Sequence, residues 1–139
     1  MQRDDVAGPE LRGLTLAIDR SVSFTHVPGD VHQRYARCSH PTALALERDI
    51  AALEYAEACR VTSSGMAAIT AVLMAVCRPG TTIFTHTVAY SGTLKLISRL
   101  AAQWGVIHQP LDLTSLNALE STECKPGDVL WLESPANPT

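Results

Sequence analysis

The pattern of apolar and polar positions along the chain predicts helices and strands in alternation. Leucine and isoleucine recur at three- and four-residue spacing after Pro41, which predicts an amphipathic helix over Thr42–Ala58 with Glu47 and other charged residues on its polar face. Beyond it, strands are predicted at 59–62, 81–86, 106–111 and 129–132, and helices at 66–77, 90–103 and 115–120. This alternation indicates an α/β fold with a mostly parallel sheet and helices on both faces.

The two ends of the chain differ from this regular middle. Residues 1 to about 30 match no single element because prolines and glycines interrupt them, so we expect an extended N-terminal arm. The chain ends soon after the last predicted strand, which would leave an apolar sheet edge uncovered. We therefore expect a piece of a longer protein, with an arm at 1–41 and an incomplete domain at 42–139.

Composition narrows the class of protein. The chain has 139 residues, 46% of them hydrophobic, and a net charge of −3 with no run of one sign. Binding to nucleic acid phosphates requires a basic excess, so a dedicated nucleic-acid binder is not expected. The longest apolar stretch, 66–77, is shorter than the roughly 20 residues of a membrane span and predicts a buried helix. The N-terminus has no apolar signal core, so a cytoplasmic location is expected.

The cysteines and histidines are scattered. The chain contains four cysteines and five histidines, with no C-x-x-C pair and no histidine pair four residues apart. Zinc ligands usually occur at such short spacings, so no metal site is expected. Reduced thiols, several of them acting as small core residues, are the interpretation that the pattern favours.

Two helix starts carry the candidate chemistry. Small hydroxyl residues and Gly65 precede the helix that begins at Met66. A glycine lets a ligand come close to the backbone, and the N–H groups of a helix N-terminus suit a phosphate. On this motif alone an ordinary capped helix is the favoured alternative. Tyr90 stands at the matching place one unit later, where its ring could stack on a planar heterocycle or simply pack on its own helix.

Three further polar residues are candidates. Asn137 follows the last predicted strand and could donate a hydrogen bond from the same rim, although Asn-Pro also favours a plain turn. Tyr35 and Arg37 alternate before the first helix, so in an extended segment they would face one side. Arg37 suits a phosphate dianion, and its alternative is a surface charge.

The order and spacing of these motifs resemble one family. The residues that carry the resemblance are Tyr35 to Thr42, Leu46-Glu47, Leu53-Glu54, Ser64-Gly65-Met66, Tyr90-Ser91-Gly92-Thr93 and Glu133 to Thr139. Over about residues 14 to 139 they look like the Cys/Met-metabolism pyridoxal-phosphate enzymes, which include cystathionine γ-synthase, cystathionine γ-lyase and methionine γ-lyase. The fold implied is part of the large cofactor-binding domain of a fold-type I transferase.

The resemblance also implies roles. Backbone N–H groups of Gly65 and Met66 would bind the phosphate of pyridoxal 5′-phosphate, Tyr90 would stack on the pyridine ring and help to move protons, and Asn137 would hydrogen-bond the 3-hydroxyl oxygen. Tyr35 and Arg37 would reach the phosphate from a neighbouring subunit of a homo-oligomer, usually a tetramer. The implied reactions are γ- or β-elimination or replacement on cystathionine, homoserine esters, cysteine or methionine.

Some family features differ or are missing. His40 stands where the family usually has Asn, and Ser91 where it usually has Gly. The family's cofactor-binding lysine is not expected among Lys95 and Lys125, so this chain alone is expected to be inactive. Two alternatives remain open. One is a non-catalytic subunit that lends Tyr35 and Arg37 to a full-length partner. The other is an unrelated α/β phosphate-binding domain, although neither glycine-rich nucleotide fingerprint occurs in the chain.

Overall fold

The computed structural model describes residues 17–24 and 35–135 of the chain. Much of the predicted N-terminal arm, and Asn137, lie outside the described residues. The chain divides into two compact units, the first ending at Val61 and the second beginning at Thr62. The domain boundary expected between residues 41 and 42 stays a prediction.

The first unit is built around helix α1, Pro41–Leu53. His40 caps it, since His40 Nδ1 accepts a hydrogen bond of 3.3 Å from the Thr42 N–H. Thr42 Oγ1 in turn accepts from the Asp19 N–H at 2.9 Å, which ties part of the N-terminal segment to the start of the helix. Proline in the first turn suits the helix because its missing N–H would have no partner there.

Helix α1 ends earlier than the sequence predicts. The prediction was Thr42–Ala58, but the helix ends at Leu53 and Tyr55 adopts a left-handed φ of 53°. The Ala56 N–H then donates to the Ala51 carbonyl at 2.9 Å, which is the six-to-one bond of a Schellman ending. Glycine normally occupies the left-handed position, so the sequence carried no signal for this end.

The predicted strand at Cys59–Thr62 is wrong, because the Glu47 side chain accepts the hydrogen bond of a backbone N–H in this segment. The Val61 N–H donates to Glu47 Oε1 at 3.0 Å, and Arg60 Nη1 donates to Glu47 Oε2 at 2.8 Å. Glu47 is therefore buried, although the helical pattern placed it on the polar face. A carboxylate with these two partners is stable in a buried position.

The second unit contains a parallel sheet of three strands, in the order β2-β1-β3. Phe84 at the centre of the sheet is in register with Gln109 on one neighbour and Leu130 on the other. The elements are α2 (Gly65–Val76), β1 (Thr82–His86), α3 (Ser91–Trp104), β2 (Ile107–Leu111), α4 (Leu116–Glu120) and β3 (Val129–Trp131). Each lies within one residue of its predicted bounds, and the α/β class with a parallel sheet is confirmed.

The core of this unit joins both long helices to the sheet. Its buried residues are Leu73, Cys77, Ile83, Ile97, Leu100 and Val106. Cys77 thus acts as a core residue, as expected for one of the thiols. The expectation that α2 is a buried helix is wrong, because only Leu73 of α2 is buried, while Val72 and Val76 are about half exposed. Within the described residues, no helix is both long and apolar enough to cross a membrane.

Replacing Tyr55 by glycine should stabilise the fold by about 1 kcal/mol, since glycine adopts a left-handed conformation without the clash of a Cβ. The Tyr55 side chain is 98% exposed, so little packing is lost. Denaturant unfolding measures the difference. Tyr55→Ala is the matched control, because it also removes the ring but keeps the Cβ. Equal free energies of unfolding for the two variants would contradict this explanation of the helix end.

Candidate cofactor site

The loops that follow β1 and β3 meet at the carboxyl edge of the sheet, where parallel α/β folds bind their ligands. The loop after β1 leads to Tyr90, which precedes α3, and Glu133 lies two residues after β3. The Tyr90 N–H donates to Glu133 Oε2 at 2.7 Å. Tyr90 therefore occupies the position at the sheet edge that the sequence predicted for it.

The first turns of α2 and α3 meet at the Tyr90 ring. A Cβ placed on Gly92 would lie 2.8 Å from Met66 Sδ and would also overlap the Tyr90 ring. Gly92 thus leaves the space that the ring and the Met66 thioether fill together. Tyr90 remains 41% exposed, so part of its surface is open to a ligand. The structure brings together Met66 and Tyr90, two of the predicted site residues.

The N-terminus of α2 has hydrogen-bond donors available. Ser64 caps the helix, with its Oγ accepting from the Ala67 N–H at 3.1 Å. The N–H groups of Gly65 and Met66 have no partner within the helix, and no residue in the described part of the chain accepts from them. A Cβ placed on Gly65 would meet nothing within 4 Å. Two donors without an acceptor among the described residues, next to the open space at Gly65, fit a phosphate group at the positive end of a helix.

Glu133 is a residue of this site whose role the sequence analysis missed. Its Oε1 accepts from Thr93 Oγ1 at 2.7 Å and from Trp131 Nε1 at 3.0 Å, in addition to the Tyr90 bond at Oε2. Burial raises the pKa of Glu133, but the hydrogen bonds from Trp131, Tyr90 and Thr93 outweigh it and hold that pKa below its usual range. The carboxyl group is therefore ionised at neutral pH. An acidic residue directly after the last apolar strand was the signal that could have identified it.

A second polar pair at the same edge was not singled out from the sequence. His86, the last residue of β1, accepts from the Val88 N–H through Nδ1 at 3.0 Å. Its Nε2 lies 3.7 Å from Asp112 Oδ1, just beyond the end of β2. Hydrogen bonds from the Thr114 side chain and backbone lower the pKa of Asp112, with a smaller contribution from His86. The pair adds a carboxylate and an imidazole to the rim from which the Tyr90 loop starts.

Tyr35 and Arg37 lie in the first unit, and the segment between them is not extended. The chain turns here, with the Cys38 N–H donating to the Tyr35 carbonyl at 2.9 Å. The Arg37 guanidinium carbon lies 4.6 Å from the centre of the Tyr35 ring. This distance is that of a cation–π contact. The two side chains therefore lie together because the chain turns, and not because they share one side of an extended segment. Asn137 lies outside the described residues.

The groups available at this site suit a ligand that carries both an anion and an aromatic ring. Neither the 17–24 segment nor residues 35–135 contain a group of three or more His, Cys, Asp or Glu side chains that could hold a metal ion. The α2 N–H groups, the open space at Gly65 and the half-exposed Tyr90 ring fit a phosphorylated aromatic cofactor.

Comparison with known proteins establishes the family. Residues 12–139 match the family of Cys/Met metabolism PLP-dependent enzymes, and the chain belongs to that family. The match extends over the whole second unit and much of the first, which confirms the resemblance drawn from the motifs. Pyridoxal 5′-phosphate is the cofactor of this family.

Individual relatives give the extent of the similarity. The cystathionine gamma-synthase of Mycobacterium tuberculosis is 38% identical over 104 residues, covering 75% of this chain and 27% of the relative. The O-succinylhomoserine sulfhydrylase of Pseudomonas aeruginosa is 36% identical over 124 residues, covering 88% of this chain and 30% of the relative. The crystal structure of metB from Corynebacterium glutamicum superposes with a TM-score of 0.79 at 32% identity, covering 91% of this chain and 34% of that one. The chain spans about a third or less of each.

Replacing Gly92 by alanine should destabilise the fold by about 1–3 kcal/mol, because the added methyl overlaps the Tyr90 ring and Met66 Sδ. Gly65→Ala is the matched control, since it adds the same methyl to the first turn of a helix but into open space. The free energy of unfolding in denaturant compares them. If Gly92→Ala proved as stable as Gly65→Ala, the close packing of Met66, Gly92 and Tyr90 would be refuted.

Proposed function

We propose that this chain forms the phosphate- and ring-binding part of a pyridoxal 5′-phosphate enzyme of sulfur amino-acid metabolism. The observation that carries the proposal is the meeting of Met66, Gly92 and Tyr90 beside the α2 N-terminus. It brings a half-exposed aromatic ring to the side chain of Met66, in the helical turn whose Gly65 and Met66 N–H groups have no partner among the described residues. Family membership supplies the chemical identity of the ligand.

Each residue of the site has a proposed part in holding the cofactor. The N–H groups of Gly65 and Met66 donate to the phosphate, and the positive end of α2 favours its negative charge. The Tyr90 ring stacks on the pyridine ring, and its hydroxyl group moves protons during the reaction. Asn137 hydrogen-bonds the 3-hydroxyl oxygen. When bound, pyridoxal 5′-phosphate supplies an electron-withdrawing ring that stabilises negative charge at the α-carbon of an amino acid.

Tyr35 and Arg37 are proposed to act on a neighbouring subunit. The Arg37 guanidinium lies over the Tyr35 ring, and Arg37 is exposed, so its side chain suits contact with a phosphate. In this proposal residues 1–41 form an arm that contacts the neighbour, residues 42–139 form part of the cofactor domain, and the whole protein is a homo-oligomer, a dimer of dimers, in the cytoplasm.

The proposed reactions of the whole protein are γ- or β-elimination or replacement. The substrates are small sulfur amino acids or homoserine esters, and the relatives named cystathionine gamma-synthase and O-succinylhomoserine sulfhydrylase favour the esters. The chain alone is proposed to be inactive. Its lysines are Lys95, exposed on α3, and Lys125, in the turn before β3 that also contains Asp128. Neither belongs to the group of residues around the Tyr90 ring.

Replacing Tyr90 by alanine should weaken the binding of pyridoxal 5′-phosphate by about tenfold, the factor that loss of one good aromatic stacking contact gives. Equilibrium binding followed by cofactor absorbance measures the affinity. Tyr55→Ala removes an exposed ring of the same size from the first unit and should leave the affinity unchanged. Pyridoxal without its phosphate should bind much more weakly than the phosphate ester to the unaltered chain.

Two results would count against the proposal. Equal affinity for pyridoxal and its phosphate would show that the α2 N-terminus does not bind the phosphate. Equal affinity of the Tyr90→Ala and Tyr55→Ala variants for pyridoxal 5′-phosphate would show that Tyr90 does not contact the cofactor. Borohydride reduction of the same samples should leave no cofactor on either lysine. Cofactor trapped on Lys95 or Lys125 would overturn the proposed inactivity of the chain.

A further inference from the structure

The Glu133 carboxylate holds three donors that come from two different elements. Tyr90 and Thr93 belong to the start of α3, whereas Trp131 is the last residue of β3. Thr93 is fully buried and Glu133 is partly buried, so water cannot readily replace the Thr93 and Trp131 bonds, whereas the Tyr90 bond is exposed. The carboxylate therefore fixes the start of α3 to the end of β3.

The Tyr90 bond is the one that acts on the site. Tyr90 is the residue that caps α3, and its own side chain makes no capping hydrogen bond. Its N–H is one of the donors that a helix leaves without an internal partner, and Glu133 Oε2 satisfies it at 2.7 Å. A negative charge at this place is also favoured by the positive end of the helix. The backbone position from which the Tyr90 ring extends thus depends on Glu133.

We propose that Glu133 is a positioning residue for Tyr90, acting through the Tyr90 N–H to hold the ring at the cofactor site. The proposal rests on the proposed function, because Tyr90 meets a cofactor only if that function is correct. Among the described residues, Glu133 accepts hydrogen bonds from Tyr90, Thr93 and Trp131 and none from the Gly65 or Met66 N–H.

The chemistry of the donors makes a carboxylate necessary. Oε2 faces the Tyr90 N–H, and Oε1 faces the Trp131 Nε1–H, and both of these groups are donors that cannot accept. An amide in place of the carboxylate offers one acceptor and one donor. In Glu133→Gln the amide NH2 group therefore faces either the Tyr90 N–H or the Trp131 Nε1–H, whichever way the amide is turned, although the side chain keeps its size.

Removing the indole donor should rescue the amide. In the double variant with Trp131→Phe and Glu133→Gln, the amide oxygen can face the Tyr90 N–H. Its NH2 group then donates to Thr93 Oγ1, which is able to accept. The Tyr90 bond is thereby restored although two residues have been changed. A role of Glu133 limited to general packing predicts the opposite, because the second substitution would add its own damage.

The test follows the Tyr90 amide directly. The chain has three tyrosines, so labelling tyrosine with ¹⁵N gives three amide signals whose hydrogen exchange can be measured without cofactor. We expect the Tyr90 amide to exchange at least about tenfold faster in Glu133→Gln, as loss of a hydrogen bond to a charged group implies. The rate should return towards the original value in the double variant and be little changed in Trp131→Phe alone.

The outcomes separate this inference from the proposed function. Unchanged Tyr90 exchange in Glu133→Gln, or a double variant that exchanges faster than Glu133→Gln, overturns the inference. If Glu133→Gln does not fold, a double variant that folds supports the inference. A double variant that does not fold, while Trp131→Phe alone does, overturns the inference. The affinity for pyridoxal 5′-phosphate should fall in Glu133→Gln and recover in the double variant. Failure of the unaltered chain to bind the cofactor would refute the proposed function, while the exchange rates would still test the hydrogen bond.

Discussion

The hydrogen bonds of one carboxylate determine the geometry at the carboxyl edge of the sheet. Glu133 follows the last strand, and its two oxygens accept from the start of α3 and from the Trp131 indole. Partial burial removes water from the Glu133 carboxylate, and these donors offset that loss. Because these donors are the Tyr90 backbone and the Thr93 hydroxyl, the same hydrogen bonds also place the Tyr90 ring.

The Tyr90 ring then completes a contact with α2. Gly92 gives it room, and Met66 lies against the same space at the first turn of the other helix. The same turn carries the N–H groups of Gly65 and Met66. A strand end, two helix starts and one glycine thus produce a surface with an aromatic ring and anion donors side by side, which suits the cofactor of the family to which the chain belongs.

The sequence predicted the parts of this structure that depend on local pattern. Strands β1 and β2 and helices α2 and α3 lie where apolar runs meet turn residues. Gly65, Met66 and Tyr90 could be singled out because they stand at the starts of these two helices. The end of α1 could not be predicted, because Tyr55 holds a left-handed position that glycine usually occupies. Nor could the partners of Glu47, which lie 13 and 14 residues away, or the Tyr90 and Thr93 partners of Glu133, which lie 43 and 40 residues away. These contacts arise from tertiary packing and have no periodic signature. The stacking of Arg37 on Tyr35 likewise depends on a turn that the alternating pattern did not reveal.

The most direct test of the central claim is an amide chemical-shift map of the chain titrated with pyridoxal 5′-phosphate. We expect the largest shifts at the Gly65 and Met66 amides and around Tyr90, and we expect inorganic phosphate to reproduce the shifts at Gly65 and Met66 but not those around Tyr90. Shifts centred elsewhere, or no change at these three residues at cofactor concentrations that saturate binding, would contradict the assignment of this sheet edge as the cofactor site.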